Sequence, residues 1–302
     1  MEASQPINNV TPLQIVAFLD GLPGHEKQSK GIIQALTTLT QTTVRYIHLP
    51  ARDFHSILFN WLRYVVSRTT SLAGKHQVPA SESRVDLIIG VGAHTHIPMA
   101  LFKQRYGGKV VTCMPPSLFY LKEIDLYCIA MHDRVRTSGK VFRTIGPPNT
   151  ALFLNKHDKK KGLILVGGID EKSHIWSSHD LVSKIAAILK SRSDIQWTIA
   201  SSRRTPKEME VLISDLVRLH PNVKFLRPLD TPAGWIEERY AECFNVWVTA
   251  DSISMVYEAL TAGCRVGILP VQWKKRGSKY EKGINYVLSE GWAVSYDQRQ
   301  EG

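Results

Sequence analysis

One local pattern recurs along this chain and restricts its fold more than any other feature. A short apolar run is followed by a polar loop, then by a segment whose apolar residues fall at helical spacing. The clearest copy is Val246–Val266, V-W-V-T-A-D-S-I-S-M-V-Y-E-A-L-T-A-G-C-R-V. Val246–Thr249 has the apolar, β-branched character of a buried strand. Ala250-Asp251-Ser252 interrupts it, and Ile253, Val256 and Leu260 then share one helical face. Ser252 suits the N-cap and Gly263 the stop, so the unit reads strand, tight turn, short helix, with Arg265–Pro270 as the next parallel strand. A helix opening at the carboxyl end of a parallel strand points free N–H groups and its positive dipole end outward, which stabilises an anion. Ser252 and Ser254 keep that mouth small and polar. Ser254 and Glu258 lie one turn apart, about 6 Å along the axis, so a diphosphate at the helix start would leave Glu258 near a ribose diol. The arrangement suits a nucleotide-sugar.

In the first half of the chain, Leu13–Leu19 reads as a strand and Lys30–Leu39 as helical, with Asp20–Ser29 between them. Two glycines and a proline in D-G-L-P-G-H allow the backbone to approach a ligand closely. His25 falls at or near the helix start, where an imidazole can act as general base; Asp20 is the second catalytic candidate. Val44–Leu49 and Val85–Val91 are further strands, and Gly92-Ala93-His94-Thr95-His96 leads to a helix at Ile97–Arg105. His94 and His96 have no evident third ligand, so no metal is expected. Val110–Met114 and Leu126–Ala130 continue the series. Strand–loop–helix alternation of this kind specifies a parallel α/β sheet.

Phe54–Val66 departs from the pattern. Phe54, Ile57, Leu58, Trp61, Leu62, Val65 and Val66 line one helical face, flanked by Arg52, Arg63 and Arg68. Such a face either packs on the protein's own sheet or lies in a membrane interface.

Gly146–Thr150 and the lysines up to Lys161 read as a domain boundary, after which a second series begins at Gly162–Val166 and ends in Gly167-Gly168. Asp180–Leu189 is helical. Trp197–Ala200 is a strand ending in S-S-R-R-T-P, where Ser201, Ser202, Arg203 and Arg204 offer two hydroxyls and two guanidiniums to a phosphate and Pro206 suits a first helical turn. Helix Lys207–Leu219, strand Val223–Leu226 and helix Ala233–Cys243 lead into Val246–Val266. Helix Tyr280–Leu288 and strand Trp292–Ser295 follow it. Gly167-Gly168, Ser201–Arg204 and Asp251–Ser254 therefore all lie at strand ends and can converge on one nucleotide diphosphate. The expected architecture is α/β, with two Rossmann-like domains facing across a cleft in the GT-B manner. Residues 1–148 form the acceptor side, and residues 149–302 the nucleotide-sugar side.

At 302 residues, with 43% hydrophobic and 22% charged residues, the chain has the composition of a globular protein of two domains. No apolar run approaches the roughly 18–20 residues of a membrane span. The first ten residues lack the basic and apolar regions of an export signal, so a cytoplasmic location is expected. Cys113, Cys128, Cys243 and Cys264 are widely spaced, without a zinc or redox motif. The formal charge of +11 favours an anionic ligand or an anionic membrane surface. Nucleic acid is not expected, because no RNP, zinc-finger or helix-turn-helix signature accompanies that charge.

D-G-x-P-G-H-E-x-Q-S (Asp20–Ser29), S-R-R-T-P (Ser202–Pro206) and V-T-A-D-S-x-S-M-x-x-E-A (Val248–Ala259) together resemble the family named for the plant protein ELONGATED MITOCHONDRIA. The resemblance runs from about Ile15 to Gly291, and I-G-V-G-A-H-T-H resembles its bacterial branch. It implies a GT-B glycosyltransferase with a nucleotide-diphosphate-sugar site at Ser202, Arg203, Arg204, Asp251, Ser252, Ser254 and Glu258. It also implies an acceptor that is a saccharide or lipid-linked, of the lipopolysaccharide or cell-envelope type. The loop Gly21–His25 is similar as well to the first glycine-rich loop of the lipid-intermediate glucosaminyltransferase of peptidoglycan synthesis. No long helix follows Trp292, so the helix that crosses back to the first domain in many GT-B enzymes is not expected. The expected reaction is metal-independent glycosyl transfer with no cofactor beyond the donor. The alternatives are a sugar-nucleotide epimerase and a non-catalytic adaptor of the same fold. A serine or cysteine hydrolase is not expected, because G-x-S-x-G is absent and no Cys is placed beside a candidate base.

Overall fold

The computed structural model describes residues 11–50, 54–69, 84–116, 120–133, 135 and 138–298, with side chains of the Phe54–Thr69 helix described for residues 58–67. Arg52 and the first ten residues lie outside the described residues, as do the side chains of Phe54, Ile57 and Arg68. The chain divides into two compact units, Met1–Asn149 and Thr150–Gly302.

In the first unit the order is β1 (Leu13–Leu19), α1 (Pro23–Thr37), β2 (Thr42–His48), α2 (Phe54–Thr69), β3 (Leu87–Val91), α3 (Ala93–Tyr106), β4 (Lys109–Cys113), β5 (Leu126–Ala130) and β6 (Val141–Thr144). The six strands are parallel, in the order β2-β1-β3-β4-β5-β6. Alternation along β1 divides the core. Val16 and Phe18 join a cluster with Tyr64 of α2 and Met99 of α3, whereas Ile15 and Ala17 pack with Ile33 of α1.

The second unit contains β7 (Asp158–Val166), β8 (His174–Ile175), α4 (Ser178–Ser191), β9 (Gln196–Ser201), α5 (Lys207–Arg218), β10 (Val223–Leu226) and α6 (Trp235–Glu242). After these come β11 (Cys243–Thr249), α7 (Ile253–Thr261), β12 (Arg265–Leu269), β13 (Gln272–Trp273), α8 (Lys279–Ser289) and β14 (Ala293–Ser295). Its main sheet, β10-β9-β7-β11-β12-β14, is also parallel. Leu163 and Leu165 of β7 face a core shared with α7 and α8, and Ile164 and Val166 face α4 and α5. Two glycines stand opposite tryptophans across its strand pairs: Gly162 pairs with Trp197 and Gly267 with Trp247. A Cβ at either glycine would collide with the indole lying beside it.

Several boundaries differ from expectation. Lys159–Lys161 are not a linker but the first part of β7, which pairs with β11 at Asp158 and with β9 at Lys161 while its lysines reach solvent. Pro23, Gly24 and His25 already belong to α1, since a proline at the first helical position gives up no hydrogen bond. Ala93–His96 likewise form the first turn of α3. Pro206 sits one position before α5 rather than inside its first turn. Helix α2 docks through Tyr64, whose hydroxyl donates to the Glu123 carboxylate at 2.7 Å, with Trp61 edge-on to it. Leu58, Leu62, Val65 and Val66 face outward instead.

His94 and His96 serve separate partners. His94 lies 3.3 Å from the Pro50 carbonyl, and His96, only 4% exposed, lies 3.2 Å from the Thr112 hydroxyl. That hydroxyl donates to the Gly90 carbonyl, so it accepts from Nε2–H of a neutral His96. Burial lowers the His96 pKa from 6.5 to about 4. Between those values the unfolded chain binds a proton that the folded chain refuses. Stability is therefore complete above pH 6.5 and falls as the pH drops toward 4, by up to about 3 kcal/mol. Chemical denaturation across this range should show the slope in the wild type, and His96→Gln, which keeps an N–H donor but does not titrate, should flatten it.

Candidate functional site

In each unit the chain order reverses direction across the sheet at one place: between β1 and β3 in the first, and between β7 and β11 in the second. Loops leaving such a pair of strands run apart and open a crevice at the carboxyl ends, the usual ligand position in parallel sheets.

At the first of these points, Asp20 follows β1. Its Oδ1 accepts the Leu22 N–H at 3.1 Å, and its Oδ2 lies 2.7 Å from Nδ1 of His25. The Asp20 side chain is 3% exposed and that of His25 22%. A buried carboxylate thus holds the Nδ1–H of an accessible imidazole, which leaves Nε2 with its lone pair as a proton acceptor. The neighbouring strand contributes Gly92 at φ +92°, and a Cβ there would stand 2.5 Å from the His25 ring and 3.0 Å from Asp20. Only glycine satisfies both the backbone angle and the space.

At the second point, Asp251 follows β11. Its Oδ2 accepts from the Gly168 N–H at 3.0 Å, from Arg204 Nη2 at 3.0 Å and from the Ser252 hydroxyl at 3.1 Å. Its Oδ1 is buried and has no partner among the described residues. The Thr249 hydroxyl accepts from the Gly167 N–H at 2.7 Å. Opposite it, Ser202 and Thr205 hold the arginine loop: the Ser202 hydroxyl donates to the Gly167 carbonyl at 2.8 Å, and Thr205 donates to the same oxygen. The Ser202 N–H in turn donates to the Thr205 hydroxyl, and the Ile169 N–H donates to the Arg204 carbonyl. A Cβ on Gly167 would strike the Asp251 carboxylate and the Ser252 hydroxyl, and one on Gly168 the Arg204 backbone. Nearby, the Lys172 N–H holds the Asp170 carboxyl below the usual carboxylate range, with Arg204 and His174 adding to the effect.

Gly167, Gly168, Ser202, Arg204, Asp251 and Ser252 are therefore brought together, and Arg203 is exposed beside them. Asp251 differs from its expected role, for it lies under the loop and fixes its neighbours. Ser252 occupies the cap position of α7, but its hydroxyl turns to Asp251, so no side chain caps the helix. Ser254 is exposed at the first turn; one turn later the helix is covered, and Glu258 is buried with Oε2 accepting from the Tyr240 hydroxyl at 3.2 Å. Burial, followed by the negative charge of Glu258, pushes that hydroxyl well above its ordinary pKa. Sequence reasoning missed Thr249 and Tyr240, and it carried Gly92 and Thr205 only as members of their loops. The only signal for Thr249 is a hydroxyl at the last position of an otherwise apolar strand.

The sequence pattern of the mitochondrial fission ELM1 family matches residues 23–302. The chain belongs to that family. No curated protein sequence matches it. Among solved structures, a protein of Listeria monocytogenes described as a UDP-N-acetylglucosamine 2-epimerase superposes with a TM-score of 0.53 at 12% identity, covering 91% of this chain and 82% of its own. A UDP-glucosyltransferase of Polygonum tinctorium gives 0.52 at 11% identity, with 95% and 85% covered. The glycotransferase of kitacinnamycin gives 0.51 at 12% identity, with 94% and 86% covered. At these identities the similarity establishes the fold, mixed α/β with parallel sheets of the GT-B type.

Asp251→Ala removes the acceptor of three donors at once. It should lower stability by about 2–3 kcal/mol in urea denaturation of the ligand-free protein, whereas Ser254→Ala should stay within about 0.5 kcal/mol of wild type.

Proposed function

We propose that this protein transfers a sugar from a nucleotide-diphosphate-sugar to a saccharide or lipid-linked acceptor of the cell-envelope type, in the cytoplasm. The observation that carries the reading is the arrangement at the β7/β11 switch point. The Gly167-Gly168 turn, the Ser202–Thr205 turn, Arg204 and the uncapped start of α7 meet there at the ends of adjacent strands. Exposed guanidiniums and the N–H groups of an uncapped helix start stabilise a diphosphate in the ground state and, more strongly, as it departs. Arg203 and Arg204 supply the charge. Ser254 is exposed at the helix mouth, whereas Glu258, expected at the ribose, is buried against Tyr240 and takes no part in this reading. The solved neighbours from Listeria and Polygonum are named for UDP-linked sugars, which supports this donor class.

In an inverting reaction, the acceptor hydroxyl oxygen bonds to the anomeric carbon as the bond from that carbon to the diphosphate breaks. The hydroxyl proton passes to Nε2 of His25, and the imidazolium is stabilised by Asp20 through Nδ1–H. The nucleoside diphosphate leaves with the electron pair of the broken bond. A metal has no assigned part in this scheme.

A second reading, a sugar-nucleotide epimerase, is favoured by the Listeria neighbour alone. Product analysis separates the two, since an epimerase converts the nucleotide-sugar with no acceptor present.

The direct test is a thermal-shift panel of nucleoside diphosphates and nucleotide-sugars. A donor at about 100 times its dissociation constant adds about 2.7 kcal/mol of stability. Arg204→Ala should abolish the shift, while His25→Ala should keep the shift and lose turnover. Absence of any shift across the panel would sink the donor site, and normal turnover in His25→Ala would remove that residue from the base role.

A further inference from the structure

Helix α2 offers an exposed apolar face that the transferase chemistry does not use. Tyr64 and Trp61 turn inward, with Tyr64 2% exposed and bonded to Glu123. Leu58, Phe59, Leu62, Val65 and Val66 lie on the opposite side, each between 47% and 60% exposed. Positions 58, 59, 62, 65 and 66 recur with helical spacing, so they form one stripe rather than scattered exposures. A contiguous stripe of this kind marks an interaction surface in a way that single exposed leucines do not.

Charge decides which partner the stripe fits. The sixteen residues of α2 include Arg63 and Arg68 and no aspartate or glutamate. The Arg63 guanidinium lies 5.7 Å above the Phe59 ring, at the border of the stripe. An arginine there keeps its stem on apolar surface while its charged end reaches the polar side. The whole chain carries +11. A protein partner with an apolar groove would need no such excess of positive charge, whereas anionic lipid headgroups would attract it. Among the described residues no helix is long and apolar enough to cross a membrane, so α2 is suited to lie on a bilayer and not to span it.

We infer that the Leu58–Val66 face of α2 docks the protein on an anionic membrane surface, with Phe59 and Leu62 entering the boundary between headgroups and acyl chains and Arg63 facing the headgroup phosphates. None of these residues belongs to either candidate site, so the inference stands or falls independently of the transferase reading.

The test is flotation of the full chain with phosphatidylcholine vesicles containing one quarter phosphatidylglycerol, beside vesicles of phosphatidylcholine alone. The expected result is binding to the anionic vesicles that weakens at high salt, with little binding to the neutral ones. The double substitution Phe59→Ser, Leu62→Ser should reduce binding by about tenfold or more, with an unchanged melting temperature because both side chains are exposed. Arg63→Gln should reduce it less. Failure of the wild type to float with anionic vesicles overturns the inference, as does undiminished binding by the double variant. Light scattering supplies the remaining arm: a wild-type dimer that becomes monomeric in the double variant would make this face an interface between copies of the chain, and would also overturn the inference.

Discussion

Both units depend on one constraint, the burial of a parallel sheet on two faces. Strands such as β1 and β7 carry apolar residues at consecutive positions because helices cover both sides. Polar side chains are thereby driven off the strands and onto their ends. With every strand of a sheet running the same way, the carboxyl ends collect the loops, the helix starts and the hydroxyl and charged residues together. The strand order then selects where among those ends a crevice opens, between β1 and β3 and between β7 and β11.

Within the second unit the Asp251 carboxylate holds the crevice in shape. One of its oxygens joins β11 to the Gly168 loop after β7 and to the arginine loop after β9. Thr249, the last residue of β11, fastens Gly167 to the same strand end. A buried carboxylate is costly without partners, and here three donors meet it. Glycine at 167 follows from that crowding, since the space a side chain would need is taken by the carboxylate and the Ser252 hydroxyl.

Much of this was legible in the sequence, for physical reasons particular to each element. β1, β5 and β10 match their expected limits because apolar runs between polar residues leave little choice of boundary. The helix starts were read late at α1 and α3, since proline, glycine and histidine resemble a loop when only their propensities are weighed. Lys159–Lys161 were misread for a related reason: charge indicates solvent, and one end of a central strand can reach solvent too. Gly167, Gly168, Ser202, Arg204 and Asp251 were recognisable as neighbours from their positions after successive strands. Their bonding was not, because it depends on which strands are adjacent in the sheet. The spacing of Ser254 and Glu258 placed both on one line of α7, but spacing does not reveal how deep each lies. Tyr240, on a different helix, decides that.

The two switch points share a construction and differ in one component. In each, a nearly inaccessible carboxylate after one strand orients a basic group from a loop or helix start, and a glycine after the adjacent strand leaves the room: Asp20 with His25 and Gly92, Asp251 with Arg204 and Gly167. A guanidinium keeps its charge at any pH the protein meets, so Arg204 can only attract and hold an anion. An imidazole oriented through Nδ1 presents the Nε2 lone pair, which can accept a proton. Exposure follows the same division, with Arg204 46% open to solvent and His25 22%. In the proposed transfer, a fixed charge would serve the diphosphate and a base would serve the acceptor hydroxyl. Exchanging His25 and Arg204 would therefore leave each carboxylate with a partner of the wrong kind for the chemistry proposed for its unit.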